Sequence, residues 1–425
     1  MNEKVLHFIW KYQLFSDISL ETTQNESLII LNAGLLNDNS GPDFLTASVR
    51  INDQLWVGNV EIHQKSSDWY LHNHHIDEHY KAVILHVVWE HDREVFNPHQ
   101  QIIPTFELSK FVKSDFLKRY TGFNSNNPKW ILCENELKNI SKFTLQNWME
   151  VLFLERLERK SVEINQLLLN YKNDWEAVLW VLLCKNFGAK INSEAFLQLA
   201  QSVDFQIIRK EKNNLLVLEA LLFGQAGFLI NDIEDAYYQK LQNEYQYLIS
   251  KYSLTTLSSS TFHFFRLRPL NFPTIRIAQL AGVIYATQSL FSKLMETTTK
   301  DEIYAVFTTQ TSAYWDTHYT FGKESKSNKK RISKAFVDTL MINTVIPLKF
   351  AYSTKKGTEL IEHLLELMES VKAEKNAIID KFSQFGIIAV NAIQTQSMLE
   401  LKNEYCLKIR CLDCSIGNEI LRKSI

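Results

Sequence analysis

The chain has 425 residues, of which 45% are hydrophobic and 22% are charged, and its formal net charge is −2. This composition excludes a largely disordered chain, and the length exceeds what one hydrophobic core usually supports, so we expect two or three domains. With a pI of about 6.6 the chain has no global positive field, so any contact with nucleic acid must come from local basic patches.

Targeting and membrane signals are weak. The apolar stretch near the N-terminus is interrupted by His7, Lys11 and Gln13, unlike a secretory signal. No segment approaches the roughly 20 consecutive apolar residues of a membrane span. Five cysteines in a chain of this length do not indicate a disulfide framework. We therefore expect a cytoplasmic protein without a membrane partner.

The first 110 or so residues alternate between short β patterns and turns. A run rich in Val, Ile and Leu over 82–92 is typical of a buried central strand. The alternating segment 46–65 turns at Asn52-Asp53 as a β-hairpin does. The predicted order is α-β-β-β-α-β, an α/β sandwich. Its elements are a helix over 4–15, a strand over 27–36, the hairpin over 46–65, a helical or irregular stretch over 66–81, a strand over 82–92 and a short strand over 102–108.

From about residue 138 onward, apolar residues recur at helical spacing opposite ion-rich faces. The scarcity of glycine (12) and proline (7) also favours long helices. The most polar stretch, 322–334, is expected to be a surface loop or a helix entrance. We predict a multidomain α+β/α fold. Its parts are an α/β domain over 1–120, a junction over 121–137, a large mainly helical domain over 138–400 and a cysteine-containing segment over 401–425.

The strand 59–65 carries the pattern that most favours chemistry. Glu61, His63 and Lys65 share one face of it, because side chains on a strand alternate with period two. Upstream, Asp43 follows a proline in a turn that can direct its carboxylate towards Glu61. Two carboxylates from a turn and an adjacent strand form a site for Mg²⁺ or Mn²⁺, beside which a Lys or His can orient or deprotonate a water. The alternative is an ordinary solvated edge.

These residues resemble the signature of the PD-(D/E)XK nuclease superfamily. The chain has a literal Pro42-Asp43, 18 residues from Asp43 to Glu61, and Glu61-x-His63 on the second arm of a hairpin. The resemblance implies metal-dependent phosphodiester hydrolysis of nucleic acid, with Asp43 and Glu61 binding Mg²⁺ or Mn²⁺. His63 stands where the superfamily usually has lysine, so either His63 replaces it or Lys65 supplies the ammonium. The alternative is a non-catalytic nucleic-acid-binding or scaffold protein that kept the fold.

A second resemblance extends over most of the chain. The strings NAGLLNDNSGPDF, GNVEIHQKSSDWY, VILHVVWEHD, RPLNFPTIRIAQLA and CLDCSIGNEIL are similar to an uncharacterised bacterial family, domain of unknown function 2851. This resemblance implies no particular activity.

Nine of the twelve histidines lie within residues 1–99, and histidine is both a metal ligand and a proton carrier near neutral pH. A different metal hydrolase built on four closely spaced histidines is therefore a rival hypothesis, although an exposed polar segment explains the same residues. The four are His72, His74, His75 and His79. His86 lies in the buried-looking strand, where a lone histidine is more often a satisfied core residue.

Three of the five cysteines form the pattern Cys406-x4-Cys411-x2-Cys414. This spacing suits thiolate ligation of a metal, with Cys133 as the candidate fourth ligand. The bound group would be Zn²⁺ or an iron–sulfur cluster, and the alternative is a set of reduced thiols. Cys184 lies on an apolar helix pattern and is expected to pack in the core.

The segment 262–276 combines arginine with phenylalanine and proline. Arg266, Arg268 and Arg276 are candidates for contact with nucleic acid, because arginine binds phosphate bidentately and neighbouring aromatics can stack on bases. The alternative is a rigid turn before a helix, with Arg276 paired internally. The lysine-rich run 323–334 is a second candidate, although such runs are usually solvated surface.

Overall fold

The computed structural model describes residues 2–16, 19–37, 39–123, 129–358 and 360–423. The chain divides into two compact units. The first unit consists of Met1–Trp148, Lys381–Ile387 and Glu400–Ile425, and the second of Met149–Asp380 and Ile388–Leu399. Within the described ranges, no helix combines the length and the apolar character that crossing a bilayer requires.

Strands are concentrated in the first part of the chain and helices follow. Up to residue 123 the elements are α1 (Glu3–Lys11), β1 (Leu20–Glu21), β2 (Ser27–Asn32), β3 (Leu35–Leu36), β4 (Phe44–Ile51), β5 (Gln54–Lys65), α2 (Asp68–Leu71), β6 (Val83–Glu90), β7 (Thr105–Glu107) and α3 (Ser114–Phe123). The remaining elements are α4 (Lys142–Asn170), α5 (Trp175–Phe187), α6 (Ala189–Gln201), α7 (Phe205–Glu211), α8 (Leu215–Gln225), α9 (Ala236–Tyr252), α10 (Pro273–Ala286), α11 (Leu290–Glu296), α12 (Lys300–Phe307), β8 (His318–Thr320), β9 (Lys323–Glu324), α13 (Lys334–Leu340), α14 (Ile346–Lys356), α15 (Ile361–Glu369), α16 (Ala377–Gln384), α17 (Ala392–Glu400) and α18 (Ser415–Arg422). This arrangement confirms the predicted N-terminal sheet and the large helical region after it.

The sheet of the first unit is mixed. Its strand order is β1-β2-β4-β5-β6-β7, and β3 also pairs with β4. The pairs from β1 to β5 are antiparallel, whereas β5 pairs with β6, and β6 with β7, in parallel. The predicted strand 27–36 is therefore two strands. Between them Gly34 has φ +90° and approaches Leu45 so closely that a Cβ would lie 2.7 Å from the Leu45 carbonyl oxygen.

β4 and β5 form the predicted hairpin. Ile51 pairs with Gln54 across a two-residue turn, in which Asn52 adopts a φ of 50°. The register shifts between Phe44 and Ala47, so β4 carries a bulge close to its start. A bulge bends a strand and redirects its side chains, and it is often found beside a functional site.

The centre of the sheet is covered by α1. This helix begins after Asn2, whose side chain accepts a hydrogen bond of 3.1 Å from the backbone N–H of Val5, and it packs against β5 with its apolar face buried. On the neighbouring strand β6, the first six residues are all buried, as predicted for a central strand. Polar side chains on β5 and β6 at this level therefore lie in the interior.

The second unit is built mainly of helices around an apolar core. The polar segment 322–334 contains β9 and leads into α13, which Ser333 caps by accepting a hydrogen bond from the Phe336 N–H. One lysine of this segment is not on the surface. Lys330 is only 1% exposed, and its ammonium donates to the backbone carbonyls of Asp316 and Asn328. The segment is thus the predicted entrance to a helix, and only its Lys330 departs from a surface position, because a buried ammonium needs such acceptors.

Candidate functional site

The hairpin brings the carboxylates of Asp43 and Glu61 to one place. The backbone N–H of Asp43 donates to Glu61 Oε2 at 3.0 Å, and the N–H of Ile62 donates to Asp43 Oδ2 at 2.9 Å. Asp43 immediately precedes β4, whose first residue, Phe44, pairs with Val60 on β5. Each of the two carboxylates is thus held by a backbone N–H group from the other strand or from the residue before it.

The environment of Glu61 makes its negative charge costly. Glu61 is 5% exposed, and burial, followed by the negative charge of Asp43, raises the pKa of its carboxyl group to about 8. Two adjacent acids of this kind repel one another when both are ionised, unless a cation lies between or beside them. The electrostatics of the site therefore favour either a proton or a metal ion.

Three histidines surround the same carboxylate. His63, His72 and His74 each place one ring nitrogen within 4.8 Å of the others. His74 Nε2 lies 3.3 Å from Glu61 Oε1, and His63 Nε2 lies 3.6 Å from that oxygen. His63 Nε2 is also 3.0 Å from His72 Nδ1. The arrangement combines imidazole and carboxylate donors around a small volume, and transition-metal ions accept donors of both kinds.

An irregular segment after β5 brings His72 and His74 to the site. α2 ends at Leu71, and Asn73 adopts the left-handed conformation with a φ of 63° between the two histidines. The ring of His74 stacks on Tyr80 with centroids 3.7 Å apart. Although His74 is buried, neither of its ring nitrogens makes a hydrogen bond within the described part of the chain. His74 Nε2 is thus left with the contact to Glu61 Oε1, and its buried Nδ1 atom has no hydrogen bond among the described residues, which is costly.

His86, on β6, orients the ring of His63 through a hydrogen bond. Its Nε2 lies 2.8 Å from His63 Nδ1. Burial lowers the pKa of His63 to about 3 and the pKa of His86 well below its ordinary value, so both rings are neutral near pH 7. A neutral imidazole has one N–H, and when His63 Nδ1–H donates to His86, the lone pair of His63 Nε2 faces His72 and Glu61. Outer partners orient metal-binding histidines in this way.

The site reaches the surface of the first unit through His7 of α1. His7 Nε2 lies 3.3 Å from Asp43 Oδ2, and both side chains are about a quarter exposed. His7 also lines a cleft of about 1240 Å³ whose walls come from the first unit. Five basic residues line this cleft together with three acidic ones. The basic residues are Lys4, Lys11, Arg410, Arg422 and Lys423.

Other predicted site residues have different surroundings. Lys65 is half exposed, and its ammonium lies 3.3 Å from Glu90 on β6. His79 is 81% exposed at its side chain and pairs with Asp77, so the rival group of four histidines is divided. His72 and His74 belong to the carboxylate site, whereas His75 packs beside Tyr70.

The candidate arginines of the second unit also differ from one another. Arg266 and Arg268 are exposed. Arg276 is 8% exposed, donates to Gln279 Oε1 at 2.8 Å and Asn271 Oδ1 at 2.7 Å, and stacks over the ring of Phe336. This is the internal pairing given above as the alternative to a phosphate contact.

The four candidate cysteines lie together in the first unit. They line one small cavity, with apolar side chains around it. Burial, followed by the charges that the neighbouring cysteines would carry, raises the pKa of Cys133 to about 12 and that of Cys411 to about 11. Cys184 is buried in α5, in the core of the second unit.

The sequence pattern gives His7 no role in a metal site, and it assigns His72 and His74 to a site separate from Asp43 and Glu61. The signal that points to them is the concentration of histidines in the first 99 residues, which marks the region without giving its geometry. What identifies them in the structure is their distance to Asp43 and Glu61.

The fold and the site define a mixed α/β and helical protein with a buried histidine–carboxylate cluster. The chain belongs to the family described as protein of unknown function (DUF2851), whose profile matches residues 3–377. Neither the curated proteins nor the solved structures include a match to the chain.

Proposed function

We propose that the protein is a metal-dependent phosphodiester hydrolase acting on nucleic acid. The observation that carries this proposal is the convergence of Asp43, Glu61 and three histidines at one point, next to a cleft lined by basic side chains. The first unit would then have a PD-(D/E)XK core. The support is a helix packed on an antiparallel hairpin whose second strand, β5, pairs in parallel with β6.

The donor set favours a cation that accepts both nitrogen and oxygen. Mg²⁺ prefers oxygen ligands in near-ideal octahedral geometry, whereas imidazole suits transition metals and carboxylate suits Mn²⁺. Glu61 Oε1 lies within 3.3 and 3.6 Å of two histidine nitrogens, as neighbouring ligands of one ion would. Of the two metals predicted from the sequence, Mn²⁺ therefore fits better than Mg²⁺. Glu61, His63 and His74 would hold the ion, and Asp43 would face it from the side of the cleft.

The bound cation would supply charge for a phosphate oxygen and lower the pKa of a water. The remaining steps fall to side chains of the chain itself. Asp43 holds His7 in place at the mouth of the site, where the imidazole can accept a proton from an attacking water. His72 is exposed and lies 3.0 Å from His63, so it can deliver a proton to the leaving oxygen. His63 occupies the position where the superfamily usually has lysine.

The cleft supports nucleic acid as the class of substrate in this proposal. Its basic side chains would contact the phosphates of a nucleic-acid backbone, and such contacts require no particular base sequence. His7 belongs both to the cleft and to the carboxylate site, so a backbone bound in the cleft would pass the metal site. Aromatic side chains in the same cleft, Phe8 and Tyr12, can stack on unpaired bases.

Cleavage of plasmid, single-stranded DNA and RNA in the presence of Mn²⁺ tests the proposal. We expect cleavage by the full chain, and a loss of at least about 100-fold in the variants Asp43→Asn and Glu61→Gln, because each removes a charge from the metal site. His79→Ala is the matched control, since it changes an exposed histidine of the same segment. Cleavage that survives both acid substitutions would overturn the proposal. Binding of nucleic acid without cleavage would also overturn it, in favour of a non-catalytic binding protein.

A further inference from the structure

The four-cysteine cavity is separate from the proposed metal site and joins two distant parts of the chain. Cys133 comes from the segment before α4, and the other three cysteines come from the segment between α17 and α18. All four line one cavity, whose other walls are mainly apolar. Cysteine side chains gathered from segments more than 270 residues apart are not explained by local packing. None of the four forms a disulfide.

The backbone around the cavity is built to hold its cysteines. Cys414 is the residue before α18, so it lies at the positive end of that helix's dipole, which favours a thiolate. Gly417 leaves no room for a side chain, since a Cβ would lie 2.1 Å from the carbonyl oxygen of Cys411. Between Cys406 and Cys411, Ile409 has a φ of 55°, which a β-branched residue adopts only when its surroundings impose it.

The spacing of the sulfurs favours a cluster over a single ion. Four thiolates bound to one zinc at about 2.3 Å would lie about 3.8 Å from one another. The described cysteines do not form a group with sulfurs within 4.8 Å of one another, whereas the three histidines of the other site do. A cubane cluster holds its four thiolates farther apart, because each binds a different iron. We propose that Cys133, Cys406, Cys411 and Cys414 bind a [4Fe–4S] cluster.

The cluster would fix one wall of the basic cleft. Arg410, Leu412 and Asp413 lie between the cysteines and line that cleft, and Arg422 of α18 and Lys423 after it line the cleft as well. By joining Cys133 to the segment 406–414, the cluster would hold these side chains in position. Its role here is structural, and only the consequence for nucleic-acid binding depends on the function proposed above.

Metal and spectroscopic analysis of the full chain, purified without oxygen, tests the assignment. We expect brown protein that absorbs near 400 nm, with about four irons and four acid-labile sulfides per chain, as a [4Fe–4S] cluster requires. If the chain is isolated without iron, ferrous iron and sulfide added under reducing conditions should restore the same absorption. Colourless protein with stoichiometric zinc, or protein that takes up no iron in this reconstitution, would overturn the proposal.

Single substitutions assign the ligands. Cys406→Ser and Cys414→Ser should each remove most of the absorption near 400 nm, whereas Cys184→Ala, a cysteine of the second unit, should retain all of it. Far-UV circular dichroism separates loss of the cluster from failure to fold. A folded Cys414→Ser variant with full iron and sulfide content would contradict the assignment. The iron measurement needs no substrate, so it stands even if nucleic-acid cleavage is not observed.

Discussion

Two sets of buried polar groups, one in each unit, differ in how completely they are hydrogen-bonded. In the second unit, the ammonium of Lys349 donates to the backbone carbonyls of Met295 and Thr297 at 2.9 and 2.7 Å, and Arg276 is likewise paired internally. In the first unit, both ring nitrogens of His74 and the Nδ1 atom of His86 lack hydrogen bonds among the described residues. Paired buried groups contribute to the structure of a unit, whereas unpaired ones impose a cost that a ligand can remove.

The ionic character of the two regions follows the same contrast. Burial lowers the pKa of Arg276 to about 10, so the guanidinium remains charged near pH 7, and it donates to Gln279 and Asn271 where water is excluded. At the histidine–carboxylate site, burial instead favours the neutral forms of Glu61, His63 and His86. The histidine–carboxylate site of the first unit therefore destabilises the metal-free chain. If the proposed metal binds there, part of its effect will be to remove that destabilisation.

The largest expected effect on stability comes from the paired region. Arg276→Ala removes a buried guanidinium, leaves Asn271 and Gln279 without their donor, and ends the contact with Phe336, so we expect a loss of about 3 kcal/mol in the free energy of unfolding. Urea unfolding of the metal-free chain measures it. Arg268→Ala, at an exposed position of the same segment, should change stability by less than about 0.5 kcal/mol. An Arg276→Ala variant as stable as the parent chain would show that the paired groups of the second unit do not stabilise it.

A smaller effect, of opposite sign, is expected in the unpaired region. Glu61→Gln mimics the protonated acid, so the metal-free variant should be more stable than the parent chain at pH 7, by about 2 kcal/mol. The same variant should lose the rise in melting temperature that Mn²⁺ gives to the parent chain. Thermal unfolding with and without Mn²⁺ measures both effects. A variant less stable than the parent at pH 7 would show that the Glu61 carboxylate is already compensated within the protein.

The pH dependence of the stability of the parent chain and of Glu61→Gln gives a further test of the Glu61 charge. The pKa of Glu61 is raised to about 8 in the folded chain, so its contribution to stability is full below pH 4.5 and is lost as pH rises towards 8. His63 has its folded pKa lowered from 6.5 to about 3, so its contribution is lost as pH falls below 6.5. The two contributions oppose each other between pH 6.5 and 4.5 in the parent chain. In Glu61→Gln only the histidine contribution remains, and stability should fall more steeply with acid, by about 1.4 kcal/mol per pH unit for each histidine.

The parts of the site that follow a regular period could be predicted from the sequence. Glu61 and His63 were placed on one face of a strand because side chains alternate with period two, and both are buried at the site. The same rule put Lys65 with them, but Lys65 is paired in register with Glu90 on β6 and forms an ion pair with it. A period describes the direction of a side chain and leaves its neighbours on the adjacent strand undetermined.

The parts that depend on irregular backbone or on tertiary pairing could not be predicted. His72 and His74 face the carboxylates because Asn73 adopts a left-handed conformation between short helical turns, and neither the strand nor the helix period applies there. His86 was interpreted as a satisfied core residue. Its contact with His63 arises from the parallel pairing of β5 with β6, which brings together residues 23 positions apart.

The smallest predicted effect is on the affinity for Mn²⁺, and it tests whether His86 orients His63. His86→Leu keeps an apolar side chain of similar size but removes the acceptor that holds His63 Nδ1–H, so we expect the affinity for Mn²⁺ to fall about 10-fold, or about 1.4 kcal/mol. Titration calorimetry of the metal-free chain measures the change. Stability without metal should change little, because removal of the unpaired Nδ1 atom of His86 offsets the cost of leaving His63 Nδ1–H without an acceptor. A large loss of stability with unchanged Mn²⁺ affinity would assign His86 to the core and leave His63 oriented by other contacts.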